Sequence, residues 1–402
     1  MVYAPNHRDF YDADSHVMEL PDFLKAFADP DVRDEVWSVR YTASLVTDEE
    51  VAQIMAQGGR HTPEHVQAQI ALGDKLIESS KEIQALGAFD GADRRTAMDM
   101  LGFRRQLVFP THSAAQPFSV SAKITPRVRY GAARAVNRHM AAICGEDKRL
   151  MGVAVVPLND PALAMAEMDF AREAGLKAIW VPHHPGNERS PFHFDLEPFW
   201  ARLAESGTPF VIHVGGAPLQ AGGPWMNTGR PAARDWMGGG ENLRTKDIAI
   251  AHQSPEAFVS MMVIDGVLER HRGLRGAVVE LGAGWVPELV RRLDWVVDHW
   301  KRVDEGLRAF SRKPSEQIRE QLAFTPFVFE PVGELIDQSD PDLYLFSSDY
   351  PHVEGGRNPI GRFEAALGER SNAMRDKFYA ENFLRIFPDA RVSNPDRVSA
   401  TA

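Results

Sequence analysis

Residues 151–182 read MGVAVVPLNDPALAMAEMDFAREAGLKAIWVP. The opening run, 151–157, is continuously apolar and stops at Pro157, the pattern of a strand buried on both faces of a parallel sheet. Asp160-Pro161 then supplies a helix cap and a first-turn proline. The helical pattern over 160–174 ends at Gly175, and a second apolar run follows at 177–182. The next stretch repeats the unit, with a helix over 196–206, Gly207, and an apolar run at 209–214 ending in Gly215-Gly216. Strands alternating with helices of this length build βαβ units.

Working outward, similar runs lie at 10–13, 106–109, 276–280, 322–326 and 343–347. With the three above they make eight strands, which implies an α/β fold, a (β/α)8 TIM barrel occupying residues 1–388 as one domain. A doubly wound open sheet is the competing architecture, and the lack of G-x-G-x-x-G after the first strand counts against it. Residues 17–105 are long, polar and helical in pattern and read as an insertion after the first strand. Residues 215–247 read as a Gly-rich active-site loop, and 389–402 as a disordered tail.

Composition narrows the function. The chain has 402 residues, 45 Lys+Arg against 56 Asp+Glu, and a formal charge of −11. An acidic protein lacks the basic surface that nucleic acids and anionic membranes demand, so neither is an expected partner. One cysteine, Cys144, excludes an intrachain disulfide framework and any multi-cysteine metal site. The N-terminal stretch MVYAPNHRDFYDADSH holds no apolar targeting segment, and no apolar run approaches the ~20 residues of a membrane span. The expectation is a soluble, cytoplasmic protein acting on a small molecule.

In a barrel, chemistry sits at the C-terminal ends of the strands. The first strand runs into Asp14-Ser15-His16, the fifth holds His213, the sixth ends at Glu280, and the eighth at Asp349 with His352 three residues on. Spacing by two puts Asp14 and His16 on one face of a strand. With His213 and Asp349 they form a set of two carboxylates and two imidazoles, suited to one divalent ion, zinc first and manganese as the alternative. Ordinary explanations stand beside this one: D-x-H pairs are common, a lone histidine in a strand is often a hydrogen-bonded core residue, and an aspartate before Tyr-Pro often caps a turn. The agreement of independent strand-end positions favours the metal. Trp180 and His183, after the fourth strand, are candidate substrate contacts, and His112 holds the same place after the second. His184 is a weaker pocket candidate. Arg230, Arg234 and Arg244 could clamp a substrate carboxylate, although solvated charge explains them equally. His7, His61, His65, His139, His193, His271 and His299 read as surface or helix residues.

Four stretches together resemble the amidohydrolase-2 family: residues 12–20 (DADSHVMEL), 211–216 (VIHVGG), 280–294 (ELGAGWVPELVRRLD) and 346–355 (FSSDYPHVEG). The resemblance spans roughly residues 8–385 and implies a distorted barrel, often dimeric, with one divalent metal. It implies that Asp14 and His16 are the strand-one metal pair, in a variant of the more usual H-x-H or E-x-H. It likewise implies that His213 and Asp349 complete the ligands, and that His352 matches a histidine often found near that aspartate. Glu19 resembles a recurrent family position. One departure stands out. The family's decarboxylases end the sixth strand in a histidine that serves as acid/base, and here Glu280 occupies that place. His252, in AHQSPEAF, starts the preceding helix, so His252 and Glu280 are expected to share the acid/base work. The alternative is that His252 caps its helix and Glu280 pairs with an arginine.

A carboxylate, with a reference pKa of roughly 4.3, makes a better base than acid. The expected function is therefore hydrolysis, with metal-activated water attacking a small carboxylate-bearing aromatic or ring-cleavage substrate. Nonoxidative decarboxylation of an aromatic or muconate-type acid on the same ligands is the alternative. A non-catalytic scaffold on a decayed barrel is a third, opposed by the intact ligand set. A homodimer is expected.

Overall fold

The computed structural model describes residues 2–41, 46–186, 189–218, 223–230 and 245–391. Its strands are β1 (Tyr11–Asp12), β2 (His16–Val17), β3 (Arg105–Pro110), β4 (Leu150–Val155), β5 (Ala178–Trp180), β6 (Phe210–His213), β7 (Gly276–Val279) and β8 (Leu322–Phe324). They pair in parallel in the order β1-β3-β4-β5-β6-β7-β8, with β2 also on β3. Every residue of β4 through β8 is buried, which is why these runs carry no polar alternation.

The connecting helices begin and end where side-chain chemistry dictates. Asp160 accepts from the Leu163 amide to start helix Pro161–Glu173, and Thr125 accepts from Val128 N to start helix Pro126–Cys144. Helix Glu197–Ser206 stops at Gly207, whose φ of 65° suits glycine. At the β6–β7 pairing, Phe210 faces Gly276. A Cβ on Gly276 would lie 2.2 Å from the Phe210 ring, so the small residue is what admits the large one.

Two barrel positions differ from the expected runs. The first is split, with β1 and β2 flanking Ala13–Ser15, so Asp14 lies in the break and not on a continuous strand face. The eighth, expected at 343–347, is not a regular strand: a 3-10 turn occupies Pro341–Leu343, and isolated Phe324–Tyr344 and Ser15–Tyr350 bridges continue the sheet. The barrel still closes. Ala13 N donates to Phe346 O at 3.0 Å, His16 N to Tyr350 O at 2.8 Å, and Asp349 N to Asp14 O at 2.9 Å. Asp12 clamps the seam, accepting from Ser348 N, Ser348 Oγ and Gln106 Nε2 at 2.6–2.7 Å.

Residues between β2 and β3 are helical in pieces, including Asp48–Ala56, Pro63–Ile70 and Gly91–Leu101. The segment around Trp37–Tyr41 lies over the β3 end: Trp37 N donates to Gln116 Oε1, and Tyr41 OH bonds to Glu19 O. The expected tail starts too early at 389, because Pro388–Ala390 form a 3-10 turn and Ala390 is fully buried. Of the Gly-rich loop, residues 219–222 and 231–244, with Arg234 and Arg244, lie outside the described residues, and Arg230 is exposed. No described helix is long and apolar enough to cross a membrane.

Candidate metal centre

Asp14, His16, His213 and Glu280 are all buried, and one donor atom from each lies within 4.8 Å of the others. Asp14 Oδ1 is 3.2 Å from His16 Nε2 and 3.3 Å from His213 Nε2. Glu280 Oε2 is 3.3 Å from His213 Nε2 and 3.9 Å from His16 Nε2. Asp349 Oδ1 lies 3.7 Å from His16 Nε2. Metal–donor bonds of roughly 2.0–2.2 Å place neighbouring ligands about 3.0–3.5 Å apart, which the Asp14–His16, Asp14–His213 and Glu280–His213 contacts match, while Glu280 and Asp349 stand somewhat further from His16.

The imidazole tautomers fit it too. His213 Nδ1 meets the Val214 carbonyl at 2.8 Å, and a carbonyl accepts, so Nδ1 carries the proton and Nε2 presents its lone pair to the cluster. His16 Nδ1 faces Thr111 Oγ1 at 3.4 Å, with Nε2 again turned inward. Without a cation, burial works to raise the Asp14 pKa, but protons on the His213 and His16 Nε2 atoms outweigh it and hold the carboxyl ionised; a cation on the site would take the place of those protons.

Glu280 and Asp349 share a backbone peculiarity. Their φ values are 53° and 52°, the left-handed region that residues with a Cβ occupy at a cost. Such strain persists where surrounding structure enforces it. Here the Glu280 amide donates to Thr325 Oγ1 at 2.9 Å, and the Asp349 amide is held by Asp14 O at 2.9 Å. The effect is to turn both carboxylates off their strand ends and into the barrel mouth.

Asp349 and His352 form a pair, Oδ1 to Nδ1 at 3.1 Å, and the His352 ring stacks on His16 with centroids 4.0 Å apart. Thr111 Oγ1 gives its one proton to Val17 O at 2.8 Å. Towards His352 Nε2, at 3.1 Å, that hydroxyl can therefore only accept. His352 Nε2 then carries a proton, and its Nδ1 faces Asp349 Oδ1.

Supporting residues fix these ligands from behind. Arg94, fully buried on helix Gly91–Leu101, donates to His16 O at 2.9 Å and lies over the Tyr350 ring at 5.1 Å. Glu19 accepts from His112 N, Ser113 N and Ser113 Oγ, bracing the loop that carries Thr111, and burial pushes its acid up to about 7. Lys81 Nζ ties down His352 O at 3.1 Å and Gly356 O at 2.8 Å.

A cavity of about 470 Å³ adjoins the centre, lined among others by Trp37, Arg40, Thr111, His112, Trp180 and Val214. Trp180 is buried with its ring edge-on to His213, centroids 5.1 Å apart. His183 is buried behind it, and His184 bonds through Nε2 to Phe118 O at 3.1 Å.

Of the expected ligands, Asp14, His16 and His213 come together with Glu280, while Asp349 and His352 form a second group that shares His16. Glu280 is also brought in, but among the ligands and not as a partner of His252. Among the described residues His252 has no contact with the cluster; it is partly exposed where helix Gln253–Ile264 begins, and its side chain makes no cap there. Arg94 and Thr111 had escaped the sequence reading. His112, flagged at the same strand end, was the one pointer to Thr111, and nothing in the sequence pointed to Arg94.

A family model described as Amidohydrolase matches residues 13–388. No curated protein matches the sequence. Among solved structures, an amidohydrolase from Mycobacterium avium subsp. paratuberculosis K-10 superimposes with a TM-score of 0.70 at 21% identity, covering 96% of this chain and 100% of its own. A 5-carboxyvanillate decarboxylase from Novosphingobium aromaticivorans, with manganese bound, gives 0.63 at 16%, covering 96% and 100%. A dihydroxybenzoic acid decarboxylase from Polaromonas sp. JS666, also with manganese, gives 0.60 at 17%, covering 96% and 98%.

Proposed function

Because the chain belongs to the amidohydrolase family, we propose that it is a metal-dependent enzyme that decarboxylates a small aromatic or ring-derived acid without an oxidant. The observation that carries this is the buried convergence of Asp14, His16, His213, Glu280 and Asp349 beside a one-ring-sized cavity into which Arg40 looks. Among the described residues Arg40 is the one guanidinium lining that cavity, and no ion pair to it is seen there; guanidinium binds carboxylate bidentately. The manganese-bound decarboxylases of shared fold support the same reading.

A divalent cation on these donors would supply Lewis-acid charge to a substrate oxygen. Arg40 would orient the carboxylate, and the hydrophobic walls of Trp37 and Trp180 would hold the ring. As the bond to the carboxylate carbon breaks, its electron pair stays on the ring carbon and carbon dioxide leaves. A proton shared between Asp349 and His352 would pass from Asp349 to that carbon. Three carboxylates and two imidazoles exceed the four donors usual for zinc and favour a harder ion, so manganese is the proposed metal and zinc the alternative.

Hydrolysis is the second reading, favoured by Glu280 standing where the family's decarboxylases carry an imidazole; there Glu280 would take a proton from an attacking water. The test loads the protein with manganese or zinc, offers hydroxybenzoates and carboxylated ring-cleavage acids, and follows carbon dioxide and products. Carbon dioxide released one-for-one with acid consumed is expected, and D349N should lower turnover about 10²–10⁴-fold. Hydrolytic fragments without carbon dioxide would favour the second reading. The proposal also keeps the homodimer and the cytoplasm, tested by light scattering and by cell fractionation.

A further inference from the structure

We propose that Thr111 is a positioning residue whose hydroxyl accepts hydrogen bonds from both His16 and His352, and so fixes which nitrogen of each imidazole faces the carboxylates of the site. The proposal rests on the metal-dependent reading above and gives a role within it to a residue outside the ligand set.

Thr111 follows β3 directly, and the pairing of Val17 with Pro110 sets it beside the end of β2. Its Oγ1 lies 2.8 Å from Val17 O, 3.1 Å from His352 Nε2 and 3.4 Å from His16 Nδ1. A hydroxyl has one proton and two acceptor lone pairs, and a carbonyl oxygen only accepts. The proton therefore goes to Val17 O, since Met18 Sδ, at 3.9 Å, is a weaker acceptor. Both lone pairs are left for the imidazoles. The two rings stack with centroids 4.0 Å apart and planes 27° apart, which brings one nitrogen of each to the same oxygen.

Two consequences follow from the direction of these bonds. His16 Nδ1 carries a proton, so its Nε2 offers a lone pair to the cluster, 3.2 Å from Asp14 Oδ1. Imidazoles that bind metals commonly donate their other N–H, and that bond fixes ring orientation and tautomer. His352 Nε2 carries a proton as well, so Nδ1 is the nitrogen left to exchange one with Asp349 Oδ1, 3.1 Å away. The three parts are each anchored from behind. Glu19 accepts from the amides of His112 and Ser113 beside Thr111, Arg94 donates to His16 O, and Lys81 to His352 O. One hydroxyl thus serves both the proposed ligand and the imidazole beside Asp349.

Shape and hydroxyl can be separated here. Valine copies the outline of threonine without the hydroxyl, and serine keeps the hydroxyl without the methyl. A side chain that merely fills space between the rings would tolerate T111V and suffer in T111S; a hydrogen-bonding hub predicts the reverse.

The test measures manganese and zinc affinity by equilibrium dialysis in wild type, T111V and T111S. It also records proton–nitrogen NMR spectra of the histidine rings in the zinc-loaded proteins, with H352Q to assign His352. Wild type should show His16 protonated at Nδ1 and His352 protonated at Nε2. T111V is expected to bind metal about ten-fold or more weakly and to lose the single Nε2–H pattern of His352, while T111S stays within about three-fold of wild type and keeps that pattern. Other protonation sites in wild type, a His352 pattern unchanged in T111V, or normal metal binding by T111V beside an impaired T111S overturns the hub and leaves the metal-dependent reading standing. Failure of wild type to bind either metal removes that reading and the hub with it.

Discussion

At the scale of single residues, the decisive side chain is Glu280. The family resemblance, which sets it in the place of a catalytic histidine, suggested acid/base work shared with His252, but its φ of 53° swings the carboxylate to 3.3 Å from His213 Nε2. It is therefore expected to bind metal. E280Q removes a negative donor at nearly constant volume and should weaken metal affinity about 10–100-fold, the range seen even for groups one shell further out. H252A should leave metal content unchanged. Equilibrium dialysis with metal analysis distinguishes the two, and a fully loaded E280Q would return Glu280 to proton transfer alone. Asp14, His16, His213 and Asp349 could be picked out as candidates because each was expected near a strand end, where one-dimensional spacing maps onto one opening. Thr111 and Arg94 were not. Thr111 matters through Val17, His16 and His352, and Arg94 through the His16 carbonyl and Tyr350, neighbours that only the closed barrel supplies.

At the scale of elements, the parallel strands were readable because burial on both faces writes itself as uninterrupted apolar residues. The first and eighth positions were blurred, since their order comes from cross-chain bonds at Asp12, Ala13 and Asp349 and not from strand periodicity. The packing of the inserted segment was hidden as well. His139 looked like an ordinary helix residue, yet it is buried on helix Pro126–Cys144 against Phe23 and Phe27, with ring centroids 4.6 and 5.2 Å away. Burial alone lowers its pKa from 6.5 to about 4. Its folded pKa lies below the unfolded value, so between these limits the unfolded chain binds the extra proton and stability falls as pH drops. The loss amounts to about 3 kcal/mol across pH 6.5 to 4, at 1.36 kcal/mol per pH unit. Denaturant melts of wild type and H139L over that range should show a shallower pH slope in the variant; parallel slopes would show that His139 is protonated without penalty in the fold.

At the scale of the whole molecule, the candidate centre joins parts of the chain that lie far apart in sequence. Residues 14 and 16 come from the split first position, 213 from β6, 280 from the end of β7 and 349 from the irregular eighth. The seam between the first and eighth positions is where regular pairing is thinnest, with single bridges and a few amide bonds in place of a ladder. A cation there neutralises carboxylates that burial would otherwise leave facing one another, and it ties the seam to β6 and β7. Binding only the folded state, it adds RT ln(1 + [M]/Kd), about 4 kcal/mol when free metal is a thousand times Kd. Chelator should therefore lower the melting temperature, and stoichiometric manganese should restore it. Hydrogen exchange adds the spatial test: protection should fall first at Ala13, His16 and Asp349, whose amides cross the seam, and last in β4 and β5 on the opposite wall. Identical melts with and without chelator, once metal analysis confirms removal, would mean that the seam is held by Asp12, Arg94 and their partners without help from the ion.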